Sequence, residues 1–170
     1  RNEGHGRSPL MMLYHVNAGW PLVDAGTRLL TSAATITPRD PAAAAGLAGA
    51  RICSSPVPDF AEQVFYHDCA ADEQGYSAAL LENRTLSLGL MVRFRQKELR
   101  RLVEWKMMGE GTYVMGIEPA NCLVGGRESE RRAGTLEFLD PGEERRFEVQ
   151  ISVADGEEEI AAVISRHRLT

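Results

Sequence analysis

Short stretches of this chain hold the groups that could do chemistry. "YHVNAGWPL" (14–22) places His15 and Asn17 ahead of a Gly-Trp-Pro turn. "QVFYHDC" (63–69) holds His67 and Asp68. "EWKMM" (104–108) holds Trp105 and Lys106, and "YVMGIEPAN" (113–121) ends an apolar run on Glu118, just before a proline. An ionisable group in or beside such a run is either satisfied by its neighbours or put to use. Histidine changes charge near neutral pH, so His15 can give up a proton. A carboxyl drawn partly out of water holds its proton more tightly and becomes a better base near neutrality, the role open to Glu118. Gly116 shares a face with Glu118 by period two and leaves room there for a close approach. Asn17 falls on the same side as His15 and can supply hydrogen bonds. Trp105 offers a flat face on which a ring can stack, and Lys106 can bind hydroxyls or a negative group. Alternation sends those two to opposite faces. His15, His67 and Glu118 also make a candidate two-histidine, one-carboxylate metal set. With no His-x-His pair beside it, the expectation is no metal and no cofactor.

These groups need elements to position them. "YSAALLEN" (76–83) and "TLSLGLMVRFR" (85–95) flank a turn at Asn83-Arg84. Leu86, Leu88, Leu90, Val92 and Phe94 then share one face of the second strand. "RLVEWKMM" (101–108) and "TYVMGIEPA" (112–120) flank a Gly-rich reversal. "GTLEFL" (134–139) and "RRFEVQISV" (145–153) flank "DPGE", a type I or II turn sequence, and predict a third hairpin. Residues 10–16 read as a buried strand. Residues 37–63, with several prolines, read as an irregular excursion with room for one helical turn. Only "DGEEEIAAVISRH" (155–167) has helical spacing, with acids in its first turn and Arg166 and His167 in its last. The architecture read from these patterns is mainly β, an antiparallel β-sandwich with one C-terminal helix, in a single domain over 1–170.

Composition narrows the function classes. The chain has 170 residues, 44% hydrophobic and 25% charged, with net charge −5. That is ordinary for a globular domain with a real core. An acidic chain with one local basic run, "RFRQKELRR" (93–101), gives no footprint for nucleic acid. No apolar stretch is long enough to span a membrane as a helix. The cysteines are Cys53, Cys69 and Cys122. An odd count without a CxxC pair gives neither a zinc pattern nor a disulfide framework, so a reducing cytoplasm is the expected compartment.

"LMMLYHVNAGWPLVDAG", "EQVFYHD", "EWKMMGEGTYVMGIEPANC" and "FLDPGEERRFEVQISV" together resemble the C-terminal half of the aldose 1-epimerase, or galactose mutarotase-like, superfamily. The likeness runs over roughly 9–153 and is strongest to a bacterial branch of unknown function. It implies a partial mutarotase-like supersandwich that binds carbohydrate in an open cleft. By the resemblance His15 corresponds to the acid that protonates the sugar ring oxygen. Glu118 corresponds to the base that takes the anomeric proton, and His67 or Asp68 falls near a sugar-binding acid. Asn17, Trp105 and Lys106 complete the expected substrate contacts. The family keeps further sugar-binding groups in an N-terminal half, so the chain is expected to be the C-terminal portion of a larger sandwich and to self-associate through uncovered faces. The expected function is anomer interconversion by acid–base ring opening. The alternatives are a non-catalytic carbohydrate-binding module and a metal-dependent sugar isomerase.

Overall fold

Alternation along 76–95 and 101–120 produces two long hairpins, and each becomes the centre of a sheet. The computed structural model describes residues 1–170. The first hairpin is β6 (Tyr76–Asn83) and β7 (Leu88–Arg95); the second is β8 (Arg101–Gly109) and β9 (Thr112–Ala120). With β3 (Arg28–Thr31) and β11 (Val149–Asp155) the first hairpin forms a four-stranded sheet ordered β11-β7-β6-β3. With β2 (Val16–Gly19), β4 (Ala33–Pro38) and β5 (Gln63–Cys69) the second forms a five-stranded sheet ordered β2-β9-β8-β5-β4. Every pairing is antiparallel. β1 (Ser8–Leu10) and β10 (Glu137–Leu139) make a small separate ribbon.

The two sheets pack face to face, as the sequence patterns predict. Leu29, Leu81, Val92 and Phe94 from one sheet meet Leu102, Met108, Met115 and Ile117 from the other. The outer face of the four-stranded sheet has its own apolar cover. There α3 (Glu157–His167) packs Ile160 against Leu80 and Ala154. Both faces of β6 are therefore covered, and all of its residues are buried.

The structure differs from the sequence reading in several places. The expected hairpin over 134–153 does not form. "DPGE" does turn, with Glu143 N–H donating to Asp140 at 3.0 Å and Gly142 at φ 80°. Its two arms then part: β10 pairs with β1, and β11 pairs with β7, Val149 facing Phe94. A local pattern shows that a turn exists, while the partner of each arm depends on distant apolar edges. Residues 10–16 are not a continuous strand. Leu13 makes an isolated bridge to Ala120, and Met12 N–H is taken by the Asn121 side chain at 2.8 Å. Two further helices exist. α1 (Pro41–Gly46), the turn foreseen in the Ala run, is capped by Asp40, which accepts from Ala43 N–H at 3.0 Å. α2 (Arg127–Ala133) has no apolar stripe for a periodicity to reveal. Buried Glu130 fixes it instead, accepting from Leu123 N–H at 2.9 Å and Thr135 Oγ1 at 2.6 Å.

Candidate active site

Strand register decides which side chains meet. In the five-stranded sheet Gly116 lies opposite both Asn17 and Trp105, Glu118 opposite Val103, and Val64 opposite Trp105. These residues share the outer face. Their neighbours Leu102, Met115 and Ile117 point the other way, into the core. His15 precedes β2 in irregular backbone and leans over the end of β9. A shallow groove of about 320 Å³ results, lined by Leu13, His15, Arg39, Glu62, Trp105 and Glu118 among others. That volume is at the small end of the range for small-molecule sites.

The groove centres on His15 and Glu118, whose Nε2 and Oε1 stand 2.9 Å apart. His15 is half exposed, while Glu118 is only 3% exposed. The approach lacks hydrogen-bond alignment, so buried Glu118 Oε1 keeps no hydrogen-bond partner. An orphaned buried carboxylate oxygen is costly, and it is suited to accept a bond from an incoming hydroxyl. The room expected beside Gly116 is used by the protein itself. A Cβ there would lie 2.7 Å from Glu118 Oε1, 3.1 Å from His15 Cε1 and 3.2 Å from Asn17 Oδ1. Glycine is what lets these three side chains converge.

Electrostatics sets two carboxyls of the groove apart. Burial, reinforced by the nearby Glu62 charge, pushes Glu118 up to about 7. Glu62 is held below its ordinary value by its bonds from Trp105 and Arg39. Trp105 Nε1 donates to it at 2.9 Å and Arg39 at 3.0 Å. The Trp105 indole in turn stands edge-on to the His15 ring, 5.6 Å between centres. One carboxyl that stays ionised beside one that titrates near neutrality is an arrangement suited to acid–base work. Glu62 and Arg39 are absent from the sequence reading. They sit in polar loop sequence, "TPRDP" and "DFAEQ". The pairing of β4 with β5, extended by Arg39 N–H donating to Val64 C=O, brings them to the groove.

The structure thus brings His15, Asn17, Trp105 and Glu118 to one face and sends other expected site residues elsewhere. His67 is sealed in the core, Nε2 at 2.8 Å from Glu104 and Nδ1 at 3.3 Å from Thr31. Lys106 Nζ donates to the carbonyls of Gly49 and Ile52, both at 2.6 Å, and burial lowers its pKa. Both lie on the opposite side of the sheet, so their expected sugar contacts do not hold. Asp68 is exposed on β5 but does not line the groove. The candidate metal set of His15, His67 and Glu118 is not assembled, because His67 is across the sheet from the other two. No three His, Cys, Asp or Glu side chains gather as a metal-binding group anywhere in the chain.

The antiparallel sandwich that carries this groove has an aldose 1-epimerase-like fold. The chain superposes over 98% of its length, with TM-score 0.93 and 27% identity, on a crystal structure from Klebsiella pneumoniae subsp. pneumoniae provisionally described as an aldose 1-epimerase. It spans 44% of that protein's chain. Residues 1–153 match the family described as a domain of unknown function, DUF4432, and the chain belongs to that family. No curated protein matches it.

Proposed function

We propose that the groove binds a sugar and interconverts its anomers by acid–base ring opening. The observation that carries this reading is Glu118 itself: buried, titrating near 7, with an oxygen lacking any hydrogen-bond partner, 2.9 Å from a half-exposed histidine. Ring opening needs one proton removed from the anomeric hydroxyl and one supplied to the ring oxygen. Glu118 takes the first as general base, and protonated His15 supplies the second as general acid. The sugar separates the two side chains as it enters, its hydroxyl satisfying Oε1. Trp105 and Asn17 bound the ring, and Glu62 holds the indole in place. The chain supplies the C-terminal portion of a larger sandwich on this reading, in keeping with its 44% share of the Klebsiella chain.

A binding module without turnover is the second reading. The close His15–Glu118 contact favours it, because a pair already in contact must be parted before it can act. Saturation with a panel of free monosaccharides, followed by NMR exchange between anomers, separates the two. Exchange faster than in buffer supports catalysis. Binding at the buffer exchange rate establishes the module.

A further inference from the structure

The molecule has a second concavity, larger than the His15 groove. A cavity of about 860 Å³ opens on the outer face of the four-stranded sheet, beside the end of α3. The hydrophobic core separates it from the groove, because Met91 and Arg93 alternate with core-facing Leu90, Val92 and Phe94 on β7. Its floor is part apolar, with Tyr76, Ala78 and Met91. A cavity this size can hold a small organic molecule.

Guanidinium groups surround that floor. Arg93 lies over the Tyr76 ring at 3.7 Å and is largely buried. Asp72 and Gln74 take one of its terminal nitrogens, at 3.2 and 2.7 Å, but its buried Nε has no partner. Arg166 and Arg168 stand exposed on the rim without a carboxylate at ion-pair distance from either. Arg168 holds φ 51°, the left-handed position that ends α3 and that glycine adopts without cost. It is fixed there by its neighbours: Leu169 is buried in the outer cluster, and Thr170 pairs with Thr31 through both backbone bonds. Basic residues at a helix end complement its dipole. That alone accounts for neither the cavity nor the unpartnered Arg93 nitrogen. The acids on the opposite rim are Asp72 and Glu73, and Asp72 is committed to Arg93 and to the N–H groups of Gln74 and Tyr76, both at 2.9 Å. His167 is nearly buried, and desolvation and the Arg93 charge lower its pKa.

We propose that this cavity is a second ligand site, for a small phosphate ester. The phosphate meets the forked donors of Arg166 and Arg168, and the organic part rests on Ala78, Met91 and the Arg93 guanidinium that covers the Tyr76 ring. Planar guanidinium groups suit a tetrahedral dianion, and two unpaired ones match its charge. Arg166 and Arg168 lie beyond the 1–153 span of the family match.

Titration of the isotope-labelled chain with phenyl phosphate, with phenol as the uncharged control, tests the proposal. Phenyl phosphate should shift the amides of Met91, Arg93 and His167 at submillimolar concentration and leave those of Asn17, Gly116 and Glu118 in place. Phenol should bind at least about tenfold more weakly. Replacing Arg166→Gln and Arg168→Gln together should weaken phenyl phosphate by at least about tenfold, the share of one or two charge-assisted bonds. Both side chains are exposed, so the fold should persist, and an unchanged spectrum of the free variant verifies it. No shift at the cavity, equal affinity for phenol, or affinity unaffected by the double substitution overturns the proposal.

Discussion

At the scale of single residues, the groove is a place where the chain accepts instability. Glu118 is buried with its folded-state pKa raised from 4.5 to about 7. The native state therefore binds its proton more tightly than the unfolded chain does. Between about pH 4.5 and 7 stability falls as pH rises, and the loss is complete above 7. Glu118→Gln removes that ionisation, so the variant should melt above the parent at pH 8 and level with it below pH 4.5. Each kcal/mol gained is roughly 2–4 °C in a chain of this size. Thermal melts across that range check it, and a variant less stable than the parent at pH 8 would show that Glu118 is not strained by burial. Gly116→Ala has the opposite character. Its Cβ would lie 2.7 Å from Glu118 Oε1, so overpacking should cost about 1–3 kcal/mol and part the His15–Glu118 pair. Urea unfolding measures the first effect and the ring resonances of His15 the second. Glu118 and His15 were legible in the sequence because each is a polar group set in an apolar run. Glu62 was not, since a glutamate in a polar loop looks solvated until β4 and β5 pair and carry it to the indole of Trp105.

At the scale of elements, alternation was the dependable guide. It marked both long hairpins, and it sent Trp105 and Lys106 to opposite faces of β8, which is where they lie. It could not say which of the two faces carried the groove and which met the core. His67 and Lys106 looked like site residues because both are polar in strands, yet they satisfy buried groups. Lys106→Met should therefore strand the Gly49 and Ile52 carbonyls and cost about 1–3 kcal/mol. Binding at the groove should change little. A ligand titration beside a urea melt distinguishes this from a direct role, which would weaken binding without the loss of stability. Elements set by distant partners were illegible. β11 joins β7 across more than fifty residues of sequence, and α2 is held by one buried glutamate rather than by an apolar stripe.

At the scale of the whole molecule, the sandwich is open along β11. Ile151 and Val153 share the inward face with Val149, yet they are 58% and 59% exposed. Trp20, next to β2, is 76% exposed. An edge strand with an uncovered apolar face invites association. The chain should therefore associate at micromolar concentration, and Ile151→Lys with Val153→Lys should reduce that association in light scattering. Identical scattering from parent and variant would place the contact elsewhere. The measurement that bears most directly on the groove is anomer exchange of a sugar shown to bind, with Glu118→Gln and His15→Asn compared against the parent. Each substitution should lower the enzymatic exchange rate by about two to four orders of magnitude, the usual share of general acid–base catalysis, while affinity changes by only a few-fold. Exchange at the parental rate in both variants would contradict the assignment of His15 and Glu118 as acid and base.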